Sequence, residues 1–177
     1  RFKITKLKTM NISELLYAGS RTLKLKKIKT HQLDSELVLS NVLKKQRENL
    51  IINSNEIVTE NTILNFKKLI TRRANREPLA YILKKKEFWS KEFFVDRNIL
   101  IPRPETELLC ESVIKIFKNR NLYMLDMGTG SGCIILSVLN ELKNAKGIGI
   151  DISKKAIEVA KKNSSKLGLN KRVKFFN

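Results

Sequence analysis

Asp126-Met-Gly128-Thr-Gly130-Ser-Gly132-Cys133 decides the fold, because three closely spaced glycines separate an apolar segment from a helical one. Glycine allows a sharp backbone turn and lets a ligand approach the N–H groups at the start of a helix. A G-x-G pattern alone is a weak signal, and a plain turn between strand and helix is the alternative. The third glycine is spaced differently from the dinucleotide pattern G-x-G-x-x-G. The stretch therefore predicts a ligand-binding loop of another kind.

Strands and helices alternate on both sides of this loop. We predict strands at 122–125, 147–150 and 173–176, and helices at 105–118, 133–142 and 153–167. In the first of these helices the expected core residues are Leu108, Leu109, Val113, Ile116 and Phe117. Such alternation is typical of a parallel sheet with right-handed crossovers. Residues 105–177 are therefore predicted to form part of a Rossmann-like domain.

An acidic residue, Asp151, follows the second predicted strand directly. A carboxylate at this position can accept hydrogen bonds from both hydroxyls of a ribose. The alternative is an N-cap for the helix that begins near Ser153. The glycine loop and this acid together favour S-adenosylmethionine over NAD as the cofactor.

Residues 1–83 show the periodicity of a small helical bundle. Its helices are predicted to begin at a capping box formed by Asn11 and Glu14, at Asp34, at the N-cap Thr59 and at Pro78. In the helix after Thr59 the expected core residues are Ile63, Leu64, Phe66, Leu69 and Ile70. Residues 84–104 are predicted to be a β-hairpin linker, with arms at 88–95 and 98–101.

The net charge of +19 raises the question of a polyanionic partner. The excess is spread along the chain and carried mainly by lysine, whereas base and phosphate recognition tends to use arginine. A solvated surface is therefore favoured, and nucleic acid is the less favoured partner.

Cys110 and Cys133 match neither a disulfide framework nor a zinc site, and His31 is the only histidine, so we expect no metal site. The longest stretch without charge, 127–140, is shorter than the roughly 20 apolar residues that a bilayer requires. The first residues, Arg1-Phe-Lys-Ile-Thr5, lack the apolar region of a secretory signal. We therefore expect a reduced, cytoplasmic compartment and no membrane partner.

Two segments resemble the HemK/PrmC family of peptide chain release factor glutamine methyltransferases. The first comprises Arg76-Glu-Pro-Leu-Ala-Tyr-Ile82, Glu87-Phe-Trp89, Phe93-Phe-Val95 and Leu100-Ile-Pro-Arg-Pro-Glu-Thr-Glu107. The second comprises Asp126–Cys133, Gly149-Ile-Asp151-Ile-Ser153, Ala156 and Asn163. The first is quite specific to that family, and the second is shared by many methyltransferases.

The resemblance implies an α/β fold: an N-terminal helical bundle, a β-hairpin linker, and the first half of a class I (Rossmann-like) S-adenosylmethionine-dependent methyltransferase sheet. It implies that Asp151 holds the ribose, and that the methionine end of the cofactor lies against Gly128, Thr129, Gly130, Ser131 and Gly132. Asp126 would mark the strand end nearby. The segment Pro102–Glu107 would close over the site, with a rigid joint and helix cap as the alternative. The domain boundaries are then 1–83, 84–104 and 105–177, and the helical domain would hold the release factor.

Two departures from the family accompany this resemblance. Ser90-Lys91 stands at the hairpin turn, where the family usually has a glycine, and no Asn-Pro pair occurs in the 177 residues. Family members use an Asn-Pro-Pro-Tyr motif after the fourth strand to orient the glutamine amide, so no catalytic residue is assigned here. Residues 122–125 would then form an open sheet edge, and an isolated half-domain should aggregate or stay loosely folded. We expect that the chain is part of a longer polypeptide, with early termination of a decayed gene as the alternative.

The resemblance implies an S-adenosylmethionine-dependent methyltransferase that acts on a glutamine side-chain amide nitrogen of release factors. Two alternatives stay open. One is an amino-methyltransferase of nucleic acids, which the net positive charge makes electrostatically plausible. The other is a non-catalytic fragment that binds the cofactor or a release factor.

Overall fold

The structure, a computed structural model, describes residues 9–118 and 120–177. The first residues, considered above for a secretory signal, lie outside these ranges. The chain divides between Leu83 and Lys84 into two units. Across the described ranges, no helix combines the length and the apolar character needed to cross a bilayer.

The first unit is helical, as its periodicity predicts. Its helices are α1 (Ile12–Leu25), α2 (His31–Leu43), α3 (Arg47–Ile52), α4 (Glu60–Ala74) and α5 (Leu79–Leu83). The two-residue strands β1 (Met10–Asn11) and β2 (Ile57–Val58) pair in antiparallel fashion. Helix α3 and strands β1 and β2 were not predicted from the sequence, because such short segments carry too little periodicity.

Side-chain caps begin α1 and α4 where the sequence predicts them. Asn11 Oδ1 accepts the N–H of Glu14 at 2.8 Å, and the Glu14 carboxylate accepts the N–H of Asn11 at 3.0 Å. Thr59 Oγ1 accepts the N–H of Thr62 at 3.2 Å. Each bond satisfies an N–H group that has no partner inside the helix, which stabilises a helix by about 1 kcal/mol. Both predicted caps are confirmed.

The core stripe of α4 differs from the expected one at a single residue. Ile63, Phe66 and Ile70 are buried, whereas Leu64 is 53% exposed. Residues at 63, 66 and 70 share one side of a helix with 3.6 residues per turn, and residue 64 is rotated away from that side. The expectation that Leu64 faces the core is wrong for this reason.

The second unit begins with the strands β3 (Lys85–Phe88) and β4 (Lys91–Phe94). After a 3₁₀ turn at Pro104–Thr106 come α6 (Glu107–Phe117), β5 (Tyr123–Met127), α7 (Cys133–Glu141), β6 (Lys146–Ile150), α8 (Lys154–Lys166) and β7 (Val173–Phe176). Strands β5, β6 and β7 form a parallel sheet in that order. The predicted α/β fold class is confirmed, and β5 lies at the sheet edge.

The hairpin differs in register from the predicted one. Its arms are β3 and β4, and residues 98–101 form no strand, so the predicted pairing of 88–95 with 98–101 is wrong. Trp89 and Ser90 form the turn with φ of 51° and 53°, values that usually require Asn-Gly. Because this turn carries no such signal, the residue pattern did not reveal it, whereas the family resemblance indicated a turn at Ser90-Lys91. The Phe88 and Phe93 rings pack edge to face at 6.1 Å in the core of the second unit.

The three-stranded sheet is covered on one face. Met124, Val173 and Phe175 pack on that face with side chains of α7 and α8. On the other face Tyr123, Leu125 and Met127 are exposed. Residues of both crossover helices, α7 and α8, belong to this one core cluster, so both helices lie on the same side of the sheet, as two crossovers of the same hand require.

Helix α6 packs through a stripe other than the expected one. Its core-facing residues are Cys110, Val113, Ile114 and Phe117, while Leu108, Leu109 and Ile116 are exposed. The buried set recurs every three or four residues, which is the spacing of one helix side. The expectation is confirmed for Val113 and Phe117 and wrong for the three exposed residues.

Candidate functional site

The glycine loop between β5 and α7 adopts backbone angles that favour glycine. Gly128, Gly130 and Gly132 have φ of 74°, 54° and 77°. Residues with a Cβ pay a steric penalty in this left-handed region. The N–H of Gly132 donates to the Thr129 carbonyl at 2.8 Å and closes a tight turn. The conformation of the loop therefore explains why glycine occupies these three positions.

The first two glycines border open space. A Cβ built on Gly128 meets nothing within 4 Å, and one on Gly130 approaches only the Gly128 carbonyl, at 3.9 Å. A Cβ on Gly132 would instead meet Leu136 Cδ1 at 3.0 Å. Gly132 therefore allows close packing of α7, whereas Gly128 and Gly130 leave their backbone accessible to a ligand.

Asp151 lies against this loop, at the end of β6. Its Oδ2 accepts the N–H of Gly130 and its Oδ1 accepts the N–H of Ser153, both at 2.9 Å. Each oxygen has a second lone pair with which it can accept a ligand hydroxyl. The N-cap of α8 is Ser153, whose Oγ accepts the N–H of Ala156 at 3.3 Å. The alternative role of Asp151 as that cap is therefore not what the structure shows.

Asp126 lies beneath the loop and is hydrogen-bonded to it. This residue is buried, and its Oδ2 accepts the Thr129 hydroxyl at 2.7 Å. Burial raises the pKa of Asp126 and the nearby charge of Asp151 adds to the rise, while the Thr129 hydrogen bond opposes it. Asp126 is thus a structural support of the loop.

Asn163 is a buried residue of the site to which the sequence alone gave no role. Its Nδ2 donates to the Ser131 carbonyl at 2.9 Å and to the Phe94 carbonyl at 3.0 Å. Its Oδ1 accepts the N–H of Phe94 at 2.7 Å. A signal was available in the sequence, because Asn163 shares a helical face with the apolar residues Ala156 and Ala160.

The segment Pro102–Glu107 contacts the hairpin. Glu107 Oε1 accepts the N–H of Trp89 at 2.9 Å, which ties the first turn of α6 to the turn between β3 and β4. This contact agrees with the rigid-joint alternative. Closure of the segment over the site stays a prediction.

Both cysteines are buried free thiols. Burial raises the pKa of Cys110 to about 12, and the neighbouring Cys133, Glu107 and Asp126 contribute to the rise. Burial also raises the pKa of Cys133. Nucleophilic cysteines require a lowered pKa, so both thiols have packing roles.

Two family models match the chain. Residues 14–83 match the PrmC N-terminal domain, and residues 118–176 match a methyltransferase domain. The first match falls within the helical unit, and the second contains the glycine loop and Asp151.

Three curated relatives illustrate the similarity. The release factor glutamine methyltransferase of Buchnera aphidicola subsp. Baizongia pistaciae is 43% identical over 158 residues, which are 88% of this chain and 57% of that protein. Its counterpart from Buchnera aphidicola subsp. Acyrthosiphon pisum is 44% identical over 154 residues, 86% of this chain and 55% of that protein. A bifunctional methyltransferase of Rickettsia prowazekii is 41% identical over 164 residues, 82% of this chain and 32% of that protein.

The chain spans a little over half the length of the two Buchnera relatives and about a third of the Rickettsia protein. The similarity covers both units. The family resemblance inferred from the sequence is therefore confirmed.

Proposed function

Because the chain resembles the family of release factor glutamine methyltransferases in both of its units, we propose that it acts as, or within, an S-adenosylmethionine-dependent methyltransferase. Its substrate is the side-chain amide nitrogen of a glutamine in a peptide chain release factor. The hydrogen bond from Gly130 N–H to Asp151 is the observation that carries the proposal. This bond brings an accessible backbone and a carboxylate to one end of the sheet.

The shape and chemistry of the site suit this cofactor. The open space at Gly128 and Gly130 accommodates the methionine end against bare backbone. The second lone pair on each Asp151 oxygen accepts one ribose hydroxyl. The cofactor supplies a methyl group on a cationic sulfonium, which makes that methyl electrophilic. Thr129, Ser131 and Gly132 complete the loop and hold its shape.

The contribution of the protein to the reaction is orientation and exclusion of water. A neutral amide is a poor nucleophile, so its nitrogen must be aligned with the methyl group before transfer. The loop and Asp151 position one of the two reactants. No residue among these 177 is assigned to align the amide, because the family's Asn-Pro-Pro-Tyr motif does not occur among them.

The helical unit supports the choice of substrate. Residues 14–83 match the PrmC N-terminal domain, and we assign to this unit the contact with the release factor. Translation termination takes place in the cytoplasm, which is the location we propose. The net charge of +19 is compatible with a second, less favoured candidate, methyl transfer to an amino group of nucleic acid.

A methyl-transfer assay with the full natural polypeptide tests these alternatives. The protein is incubated with methyl-labelled S-adenosylmethionine and either purified release factor or RNA, and the labelled residue is mapped by mass spectrometry. We expect label on one glutamine of the release factor and none on RNA. Label on bases would instead support the nucleic-acid candidate. Binding of S-adenosylhomocysteine without any transfer would support the non-catalytic fragment.

A further inference from the structure

Asn163 connects three parts of the second unit that are distant in the sequence. Its side chain extends from α8, is 1% exposed, and bonds to the backbone of Phe94 in β4 and of Ser131 in the glycine loop. Buried amides are retained where their hydrogen bonds are made, because an unpaired buried amide is costly. Packing alone does not explain why an amide occupies this buried position, so the role of its hydrogen bonds must be considered.

The hydrogen bonds define the orientation of the amide. Both N–H groups of Nδ2 point at carbonyl oxygens, those of Ser131 and Phe94, and Oδ1 receives the N–H of Phe94. The flipped orientation would place Oδ1 against two carbonyl oxygens. The site therefore needs a side chain with two donors and one acceptor, and an aspartate in its place would lack both N–H donors.

The peptide group held by Asn163 is part of the loop itself. The Ser131 carbonyl and the Gly132 N–H belong to the same peptide plane. Asn163 holds its carbonyl end at 2.9 Å, and the Thr129 carbonyl accepts its N–H at 2.8 Å. Glycines on both sides of Ser131 leave the backbone free to rotate. The two hydrogen bonds hold this peptide plane in one orientation.

We propose that Asn163 is a positioning residue for the cofactor: it holds the glycine loop in its binding conformation and couples the loop to the β3–β4 hairpin. This inference rests on the proposed function. Coupling of this kind is reciprocal, so a ligand that stabilises the loop also stabilises the hairpin strand that shares Asn163. The coupling thus links the glycine loop to the hairpin within the second unit.

The variant Asn163→Asp tests the positioning role through its pH dependence. A carboxyl group at this buried position faces two carbonyl oxygens, so its charged form is disfavoured, whereas its protonated form donates one hydrogen bond. In the full natural polypeptide, we expect calorimetry with S-adenosylhomocysteine to show a loss of affinity of roughly ten-fold at about pH 8. Part of that loss should be recovered at about pH 5.

The matched control is Asn170→Asp, which introduces the same charge at an exposed residue just beyond α8. We expect this variant to follow the wild-type pH profile. Equal affinity of Asn163→Asp and the wild type at both pH values would overturn the proposal. Failure of the wild type to bind S-adenosylhomocysteine would overturn the proposed function as well, and the two failures are therefore distinguishable.

Hydrogen exchange of the wild type provides a second measurement that needs no variant. If the coupling exists, S-adenosylhomocysteine slows exchange of the Phe94 amide and its neighbours in β4 together with the loop amides. Protection confined to residues 128–132 and the region of Asp151 would contradict the coupling. This result does not depend on whether Asn163→Asp folds.

Discussion

The backbone N–H of Gly130 donates a hydrogen bond of 2.9 Å to Oδ2 of Asp151. The glycine loop and Asp151 follow neighbouring parallel strands, β5 and β6, whose carboxyl ends lie at the same end of the sheet. Ligands of open α/β sheets bind outside the carboxyl ends of the strands. This contact therefore joins the two predicted halves of the site.

Gly130→Ala should abolish cofactor binding with little loss of stability. The new methyl group points into open space and would occupy the ligand's position, while the left-handed φ of 54° costs about 1 kcal/mol. Gly168→Ala is the matched control, since Gly168 has φ of 69° and equally open surroundings at the end of α8. In urea, the free energy of unfolding should fall by a similar amount for both variants. In a titration with S-adenosylhomocysteine, only Gly130→Ala should lose binding. Equal binding by both would contradict the placement of the ligand.

Asp151→Asn should weaken binding of S-adenosylhomocysteine by roughly ten- to a hundred-fold, the range for loss of charge-assisted hydrogen bonds. The amide nitrogen replaces one of the two acceptors and opposes a backbone N–H group. Asp96→Asn is the control, because Asp96 accepts the N–H of Asn98 just as Asp151 accepts that of Ser153. Calorimetry on both variants measures the difference. An unchanged affinity for Asp151→Asn would exclude the proposed ribose contact.

Ser90→Gly should stabilise the protein by about 1 kcal/mol, since Ser90 occupies the left-handed region with φ of 53°. Ser112→Gly makes the same chemical change in the interior of α6, where glycine is unfavourable by about 0.5 kcal/mol. The free energy of unfolding in urea should therefore rise for the first variant and fall for the second. A lower free energy of unfolding for both variants would contradict the expectation that glycine relieves strain at position 90.

The stability of Asp126→Asn relative to the wild type should increase with pH. The pKa of Asp126 is raised in the folded protein above its ordinary value of 3.8, mainly by burial, so the native state binds this proton more tightly than the unfolded state. The carboxylate therefore destabilises the fold progressively as pH rises from 3.8 through its raised pKa, and the asparagine does not. Urea unfolding at several pH values measures the difference.

The variant Glu92→Gln should show the opposite pH dependence: its stability relative to the wild type should decrease as pH rises. The hydrogen bond from Lys166 lowers the pKa of Glu92 despite some burial, so its contribution to stability is present at neutral pH and lost as pH falls through the lowered pKa. Because both side chains of the pair are about half exposed to solvent, the effect should be small. A pH dependence of the same sign in both variants would contradict the assignment for Asp126.

Features set by neighbouring residues were predictable from the sequence. The caps at Asn11 and Thr59 and the glycine loop follow from spacings of a few residues. The hairpin register was not predictable, because its turn consists of Trp89 and Ser90, residues that rarely form such turns. Its strands lie where they do because Phe88 and Phe93 are buried in the second unit's core, which a local pattern does not reveal.

The sequence by itself determined the alternation of strands and helices, the ends of most of them, and the glycines that line the loop, since these depend on local backbone sterics and periodicity. Only the tertiary structure decided which polar groups meet. Asn163 contacts Phe94 and Ser131, and Asp151 contacts Gly130, across long separations in the chain. Such pairs form because buried polar groups need partners, and the packing of the sheet against its helices determines which partners lie within reach.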